Sequence, residues 1–176
     1  DLGAHVELIL GPTALDASHA NLKITRIEST EEMHKEVTSR VNAADIIILA
    51  AAVSDYKPKE QIAEKQKQSK DDWSIELVPT VDILSEVGET RSQNQFLVGF
   101  ALETQNEEQY AQDKLKRKKL DMIVLNSLKS KGAGFGVDTN QVIIFHKDNN
   151  RVDLPLMSKR EVADQIFEQI LSKYEG

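Results

Sequence analysis

The sequence predicts an α/β domain built on a mainly parallel sheet with helices on both faces. Three observations lead there. The run ADIIILAAAV (44–53) is an unbroken aliphatic strand, the kind a parallel sheet buries on both faces. Strand-like and helix-like stretches alternate along most of the chain, as successive βαβ crossovers require. The stretch NEEQYAQDKLKRKKL runs from acids at its start to bases at its end, and TEEMHKEVTSRVNA opens on two acids, both in keeping with the helix dipole.

Taken in order, Asp1-Leu2-Gly3-Ala4 reads as a last helical turn stopped by glycine. That implies a strand and a helix upstream, and so an incomplete N-terminus. HVELILG then opens a strand over 5–10, and a second follows over 22–28. TEEMHKEVTSRVNA (30–43) is helical, with Ser29 or Thr30 as its cap. The aliphatic strand over 45–52 thins into Ala50, Ala51 and Ala52 before Ser54 and Asp55. Those alanines either let a flat ligand lie against the strand end or make room for a packing helix, and the local residues leave both open. The polar stretch 57–72, with Pro58 and five lysines, reads as a mobile loop of the kind that serves as a lid. A strand over 74–78 and a helix VDILSEVGETR after Thr80 come next. They are followed by a strand over 96–102, the helix NEEQYAQDKLKRKKL and a strand over 122–126. QVIIFHKDNNRVDLPLM (141–157) forms a hairpin turning at Asn149-Asn150, residues that tolerate positive φ. Ser158 caps a final helix whose stripe of Val162, Ile166, Phe167, Ile170 and Leu171 faces a core.

Composition narrows the function. The 176 residues suit a single domain over 1–176, and the absence of cysteine excludes disulfides and thiolate chemistry. His5, His19, His34 and His146 are too scattered for a zinc site, and the residues assign no metal ligand. No apolar run approaches the ~18 residues of a membrane span, so a cytoplasmic protein without membrane contact is expected. A net charge of −7 argues against a nucleic-acid surface. Two lysine clusters, Lys57 to Lys70 and Lys114 to Lys119, nevertheless suit a small polyanion such as a nucleotide. Lys114 and Lys118 share one helix face, where their repulsion would be relieved by phosphate. Asp55, Asp82 and Glu103 fall on the carboxyl edge of the expected sheet, where α/β ligands bind. Tyr110-x-x-x-Lys114 fits a short-chain dehydrogenase pattern, but neither that family's upstream serine nor a G-x-G-x-x-G is present. The glycine-rich KGAGFGVDTN (131–140) runs into a strand, so no helix N-terminus awaits a phosphate there.

AAAVSDYKP, EKQK, VDIL, VGFALET and KLKRKKLDMIVLN, in this order and spacing, resemble phosphopantothenoylcysteine synthetase, along essentially the whole chain. The resemblance implies a Rossmann-like three-layer α/β/α fold with a C-terminal hairpin, assembled as a homodimer. It implies ligation of 4'-phosphopantothenate to L-cysteine through an acyl-cytidylate, with CTP as co-substrate and Mg²⁺. It also allows fusion to an upstream flavin-dependent decarboxylase domain. By the same resemblance Ala51 and Ala52 form the strand end beside the nucleotide and Asp55 contacts CTP. Val81, Asp82, Ile83 and Leu84 line the nucleotide site, Phe100 packs on it, and Lys114 and Lys118 bind phosphates. Lys65 is the loop lysine that reaches the triphosphate and acts in catalysis. Gln68 stands where the family carries a further lysine after Lys67. The family's glycine-rich loop, and the asparagine of its acyl-cytidylate step, fall upstream of Asp1. Two alternatives remain at this stage: a nucleotide-binding fragment without activity, and a dehydrogenase.

Overall fold

The computed structural model describes residues 2–60, 64, 74–103, 106–127 and 136–174. The elements up to the middle of the chain are β1 (Val6–Leu10), β2 (Leu22–Arg26), α1 (Thr30–Thr38), β3 (Ile46–Leu49), β4 (Tyr56–Pro58) and β5 (Leu77–Pro79). Then come α2 (Ile83–Thr90), β6 (Phe96–Glu103), α3 (Glu107–Arg117) and β7 (Met122–Ser127). The chain finishes with β8 (Thr139–Asn140), β9 (Val142–His146), β10 (Arg151–Asp153), β11 (Met157–Ser158) and α4 (Lys159–Tyr174). They form two units, residues 1–39 with 52–83, and residues 40–51 with 84–176.

In the first unit β1 and β2 pair in parallel from Val6↔Leu22 to Leu10↔Arg26. Ser29, the expected cap, closes a reciprocal box on α1: its hydroxyl accepts from Glu32 N–H while the Glu32 carboxylate accepts from Ser29 N–H. The helix stops at Thr38, short of the expected residue 43. There the Thr38 hydroxyl donates to the His34 carbonyl, Ser39 ends the helix, and Val41–Ala43 makes a separate 3-10 turn. β4 and β5 form a short antiparallel ribbon that the sequence does not announce, with Tyr56 opposite Pro79 and Pro58 opposite Leu77. Proline fits such an isolated edge because no ladder donor is lost there.

In the second unit five strands run in the order β10-β9-β7-β6-β3, parallel from β3 to β7 and antiparallel beyond. Alternation along the strands sorts the core. Val98, Met122, Val124, Val142 and Ile144 face the stripe of α4 at Val162, Ile166 and Ile170. Leu97, Ile123 and Leu125, out of phase by one residue, are fully buried on the other face, where α3 packs along β6 and β7. The result is a mixed α/β fold with a mostly parallel central sheet, as expected. Ser158 caps α4 through a second reciprocal box with Glu161. The hairpin turns where predicted, with Asn149 at φ 66°.

The amino ends of β6 and β7 are tied by Asp121, which is 4% exposed. Its carboxylate accepts from Leu97 N–H at 2.8 Å, from Lys147 at 2.6 Å and from Arg91. Burial pushes the Asp121 pKa up, but hydrogen bonds from Lys147, Leu97 N–H and Arg91 outweigh it and hold it below the usual 3.8. Beside it, Gln95 donates both amide hydrogens to the carbonyls of Val41 and Ala44.

Candidate functional site

β6 is where residues distant in sequence meet. Gly99 has no side chain because two leucines occupy the space. A Cβ there would lie 3.0 Å from Leu84 Cδ2 and 2.8 Å from Leu120 Cδ1. Leu84 at the start of α2 therefore lies over the strand beside Phe100. Across from it, half-buried Lys114 extends from α3 and donates from Nζ to the Phe100 carbonyl at 2.8 Å. Of the residues implicated by sequence, Leu84, Phe100 and Lys114 thus converge on one stretch of strand. The Phe100 ring itself packs against the α4-side core. Lys118, one turn beyond Lys114, is the C-cap of α3. There the helix ends in a Schellman turn with Lys119 at φ 51°; Leu120 N–H bonds Leu115 O at 2.9 Å and Lys119 N–H bonds Lys116 O at 3.2 Å.

The alanines follow β3. That strand ends at Leu49, where its register with Gly99 stops, and Ala50, Ala51 and Ala52 beyond it are exposed. In the first unit, the main chain around Asp55 is pinned to the end of β5: Thr80 N–H donates to Asp55 O at 2.9 Å, and the Thr80 hydroxyl donates to Ser54 O. The Asp55 carboxylate is exposed. Val81 is 47% exposed, exposed Asp82 immediately precedes α2, and Ile83 turns into the interior. Lys57 of the lysine-rich stretch pairs with Glu31, whose pKa this hydrogen bond lowers. Lys65, Lys67 and Gln68 lie outside the described residues, as do residues 131–135 of the glycine-rich 131–140 stretch.

One polar residue escaped the sequence reading. Asn126 ends the aliphatic run of β7 at the carboxyl edge of the sheet, opposite Leu102 of β6. Its Oδ1 accepts from Asn140 Nδ2 at 2.8 Å, while Asn140 Oδ1 accepts from Gln141 N–H at 3.0 Å. An asparagine closing an otherwise apolar strand was the available signal.

Chemistry and concavity do not coincide. A cavity of about 470 Å³ opens at the opposite, amino-terminal edge, lined among others by Gln95, Asp121, His146 and Lys173. Its charges satisfy one another, Lys147 with Asp121 and Lys173 with Asp148, each at 2.6 Å. None of the residues implicated by sequence lines it. His146, 2% exposed, has neither ring nitrogen in hydrogen-bond geometry with a described residue. Burial and then Lys173 lower its pKa from 6.5, against Asp148 and the Gln169 amide. Among the described residues no cluster of three His, Cys, Asp or Glu side chains could hold a metal, and no helix is long and apolar enough to cross a membrane.

Comparison with known proteins agrees with the sequence motifs. Residues 1–174 match the family described as DNA/pantothenate metabolism flavoprotein C-terminal domain. The Coenzyme A biosynthesis bifunctional protein CoaBC of Bacillus subtilis is 46% identical over 177 residues, covering 99% of this chain and 43% of that protein. A relative from an unknown prokaryotic organism, named Cysteine/Cysteine sulfinic acid decarboxylase, is 46% identical over 97% of this chain and 48% of its own. The chain therefore spans less than half the length of these two relatives. Among solved structures, the C-terminal domain of a CoaBC protein superposes with a TM-score of 0.81 at 40% identity, covering 99% of this chain and 78% of that one. With motifs, fold and whole-length similarity in agreement, the chain belongs to the family of the DNA/pantothenate metabolism flavoprotein C-terminal domain.

Proposed function

We propose that this chain is the synthetase part of a phosphopantothenate–cysteine ligase in coenzyme A biosynthesis. In the reaction, the carboxylate of 4'-phosphopantothenate attacks the α-phosphorus of CTP. The bond to the β-phosphate breaks, releasing pyrophosphate and leaving an acyl-cytidylate. The cysteine amine then attacks the acyl carbon, loses a proton, and CMP departs as the amide forms. The observation that carries this reading is the convergence of Leu84, Phe100 and Lys114 on β6. It unites three motifs that the resemblance ties to the nucleotide.

Each residue has a physical task in this scheme. The Lys114 and Lys118 ammonium groups offset phosphate charge, which otherwise opposes approach of a carboxylate. The exposed small surface of Ala51 and Ala52 admits a flat group without steric cost. Lys65, placed by resemblance alone, would supply charge to the leaving pyrophosphate as its loop closes. Mg²⁺ commonly keeps one or two protein carboxylates and takes its other oxygens from phosphates. Exposed Asp55 fits that role, and the ion would neutralise the triphosphate it arrives with. A homodimer through the C-terminal strands, a cytoplasmic location and an upstream flavin-dependent decarboxylase domain belong to the same proposal. The decarboxylase name of one relative describes that whole protein, of which this chain matches 48%.

Thermal melting with and without nucleotide tests the reading. Mg·CTP at about 100 times its Kd should add about 2.7 kcal/mol of stability, and NADPH should add none. Stabilisation by NADPH but not by CTP would replace the ligase with a dehydrogenase.

A further inference from the structure

Thr80 carries an inference that rests on the ligase reading above and deepens it at Asp55. The β4–β5 ribbon sets Tyr56 opposite Pro79. Its ladder continues one step further, where Thr80 N–H donates to Asp55 O at 2.9 Å. Closing the ribbon needs only that bond. The Thr80 hydroxyl adds a second, to Ser54 O. The two acceptors belong to different peptide planes, one on each side of the Asp55 Cα. Because peptides are planar, a residue keeps only two soft dihedrals, and holding both planes fixes both of them. The direction of the Asp55 Cα–Cβ bond is fixed with them. Downstream, the Ser54 hydroxyl donates to Tyr56 O at 2.7 Å and steadies the next plane.

This framework supports a side chain that does little for the fold. The Asp55 carboxylate is exposed, and no described residue donates to it. Ser54 is exposed as well, so water could satisfy its carbonyl in place of the Thr80 hydroxyl. What benefits from a fixed main chain beneath an unpartnered carboxylate is a ligand of that carboxylate, because less freedom remains to be lost on binding. Groups behind a metal's ligands act in this way, by orienting them. We propose that Thr80 is a positioning residue, whose hydroxyl and N–H together aim the Asp55 carboxylate at the divalent cation that accompanies CTP.

Calorimetry of CTP binding, once with Mg²⁺ and once with EDTA, gives the gain in affinity that the cation brings. Thr80→Val keeps the size of the side chain and the main-chain bond and removes only the hydroxyl. It should cut that gain by about tenfold, the scale of losing a group that orients a metal's ligand. A general loosening of the ribbon would instead weaken binding alike in both conditions, whereas the affinity in EDTA should stay within about twofold of wild type. Thr80→Ser retains the hydroxyl and should restore the gain. Asp55→Asn should abolish it, and adding Thr80→Val to that variant should lower affinity no further, since the threonine acts through Asp55. If Asp55→Asn loses the gain while Thr80→Val keeps it, or if Thr80→Val weakens binding equally with and without Mg²⁺, the hydroxyl is only a tie of the ribbon. The assignment is then wrong and the ligase reading stands. A gain that is absent from the wild type, or that survives in Asp55→Asn, takes the cation away from Asp55 and the assignment with it. A wild type that binds no CTP in either condition sinks the ligase reading itself.

Discussion

Gly88 sits in the middle of α2 for want of room. A Cβ at this position would stand 2.1 Å from the carbonyl oxygen of Lys118 and 3.0 Å from its carbon. Ordinary contact is about 3.5 Å, so the two helices must part by more than an ångström in Gly88→Ala. The obstructing atom cannot swing aside. It belongs to the Schellman turn, held by Lys118 N–H to Lys114 O at 3.0 Å and Leu120 N–H to Leu115 O at 2.9 Å. Alanine gains about 1 kcal/mol of helix propensity, whereas overpacking of this kind costs up to about 3 kcal/mol. The expected net loss is about 2 kcal/mol, or a Tm lower by roughly 4–8 °C for a chain of this size. Urea melts of Gly88→Ala and Gly99→Ala side by side provide the check. At Gly99 the close atoms are Leu120 Cδ1 and Leu84 Cδ2, ends of side chains that can re-orient, so Gly99→Ala should lose less than half as much. Because α3 carries Lys114 and Lys118, Gly88→Ala should also weaken CTP binding. A Gly88→Ala protein as stable as wild type would refute the reasoning, since it would mean that α3 is free to shift.

Three further outcomes are expected. Lys119→Gly should stabilise the protein by about 1 kcal/mol in urea melts, because only glycine adopts the positive φ of a helix stop without cost; its exposed pairing with Glu89 is a small loss. His146 is held neutral, with a folded pKa below the unfolded 6.5. Its contribution is thus present above pH 6.5 and declines as pH falls below that value toward the lowered folded pKa. His146→Leu should flatten this slope in melts between pH 5 and 7 at little cost at pH 7.5, since neither ring nitrogen gives up a hydrogen bond. Lys114→Met keeps the side-chain stem but removes the charge, so CTP affinity measured by calorimetry should fall by about tenfold or more while Tm moves by only a few degrees.

Much of the fold was legible because it rests on local chemistry. Ser29 and Ser158 announce their helices through an acid three residues on, and Asn149 announces its turn through its tolerance of positive φ. The aliphatic runs at 96–102 and 122–126 could only be buried strands. What was not legible depends on partners far away in sequence. β4, β8 and β11 have two or three residues each, too few for periodicity, and exist because another segment lies alongside. The sequence carries the strand on to residue 52, whereas β3 ends at Leu49, where its pairing with Gly99 of β6 stops. The site divides in the same way. Lys114 could be suspected from its charge, but its seat on the Phe100 carbonyl could not. Asn126 could be noticed as the polar end of an apolar strand, but its bond to Asn140 could not.

The order of strands in the second unit also sets an order in time. The β9–β10 hairpin closes over a short turn, and isolated hairpins form in microseconds. β3 must find β6 across fifty residues, Ile46 meeting Phe96. Loop closure of that length delays parallel pairing, so β3 should join last, onto a sheet already backed by α4. A strand that arrives last and pairs with a single described neighbour is also the first to leave in native fluctuations. Its amides should therefore exchange with solvent before those of β7, whose two neighbours enclose it. The exposed alanines that follow β3 hang from an edge strand of the sheet, so under the proposed function grip on a nucleotide and tightening of that edge would become one event.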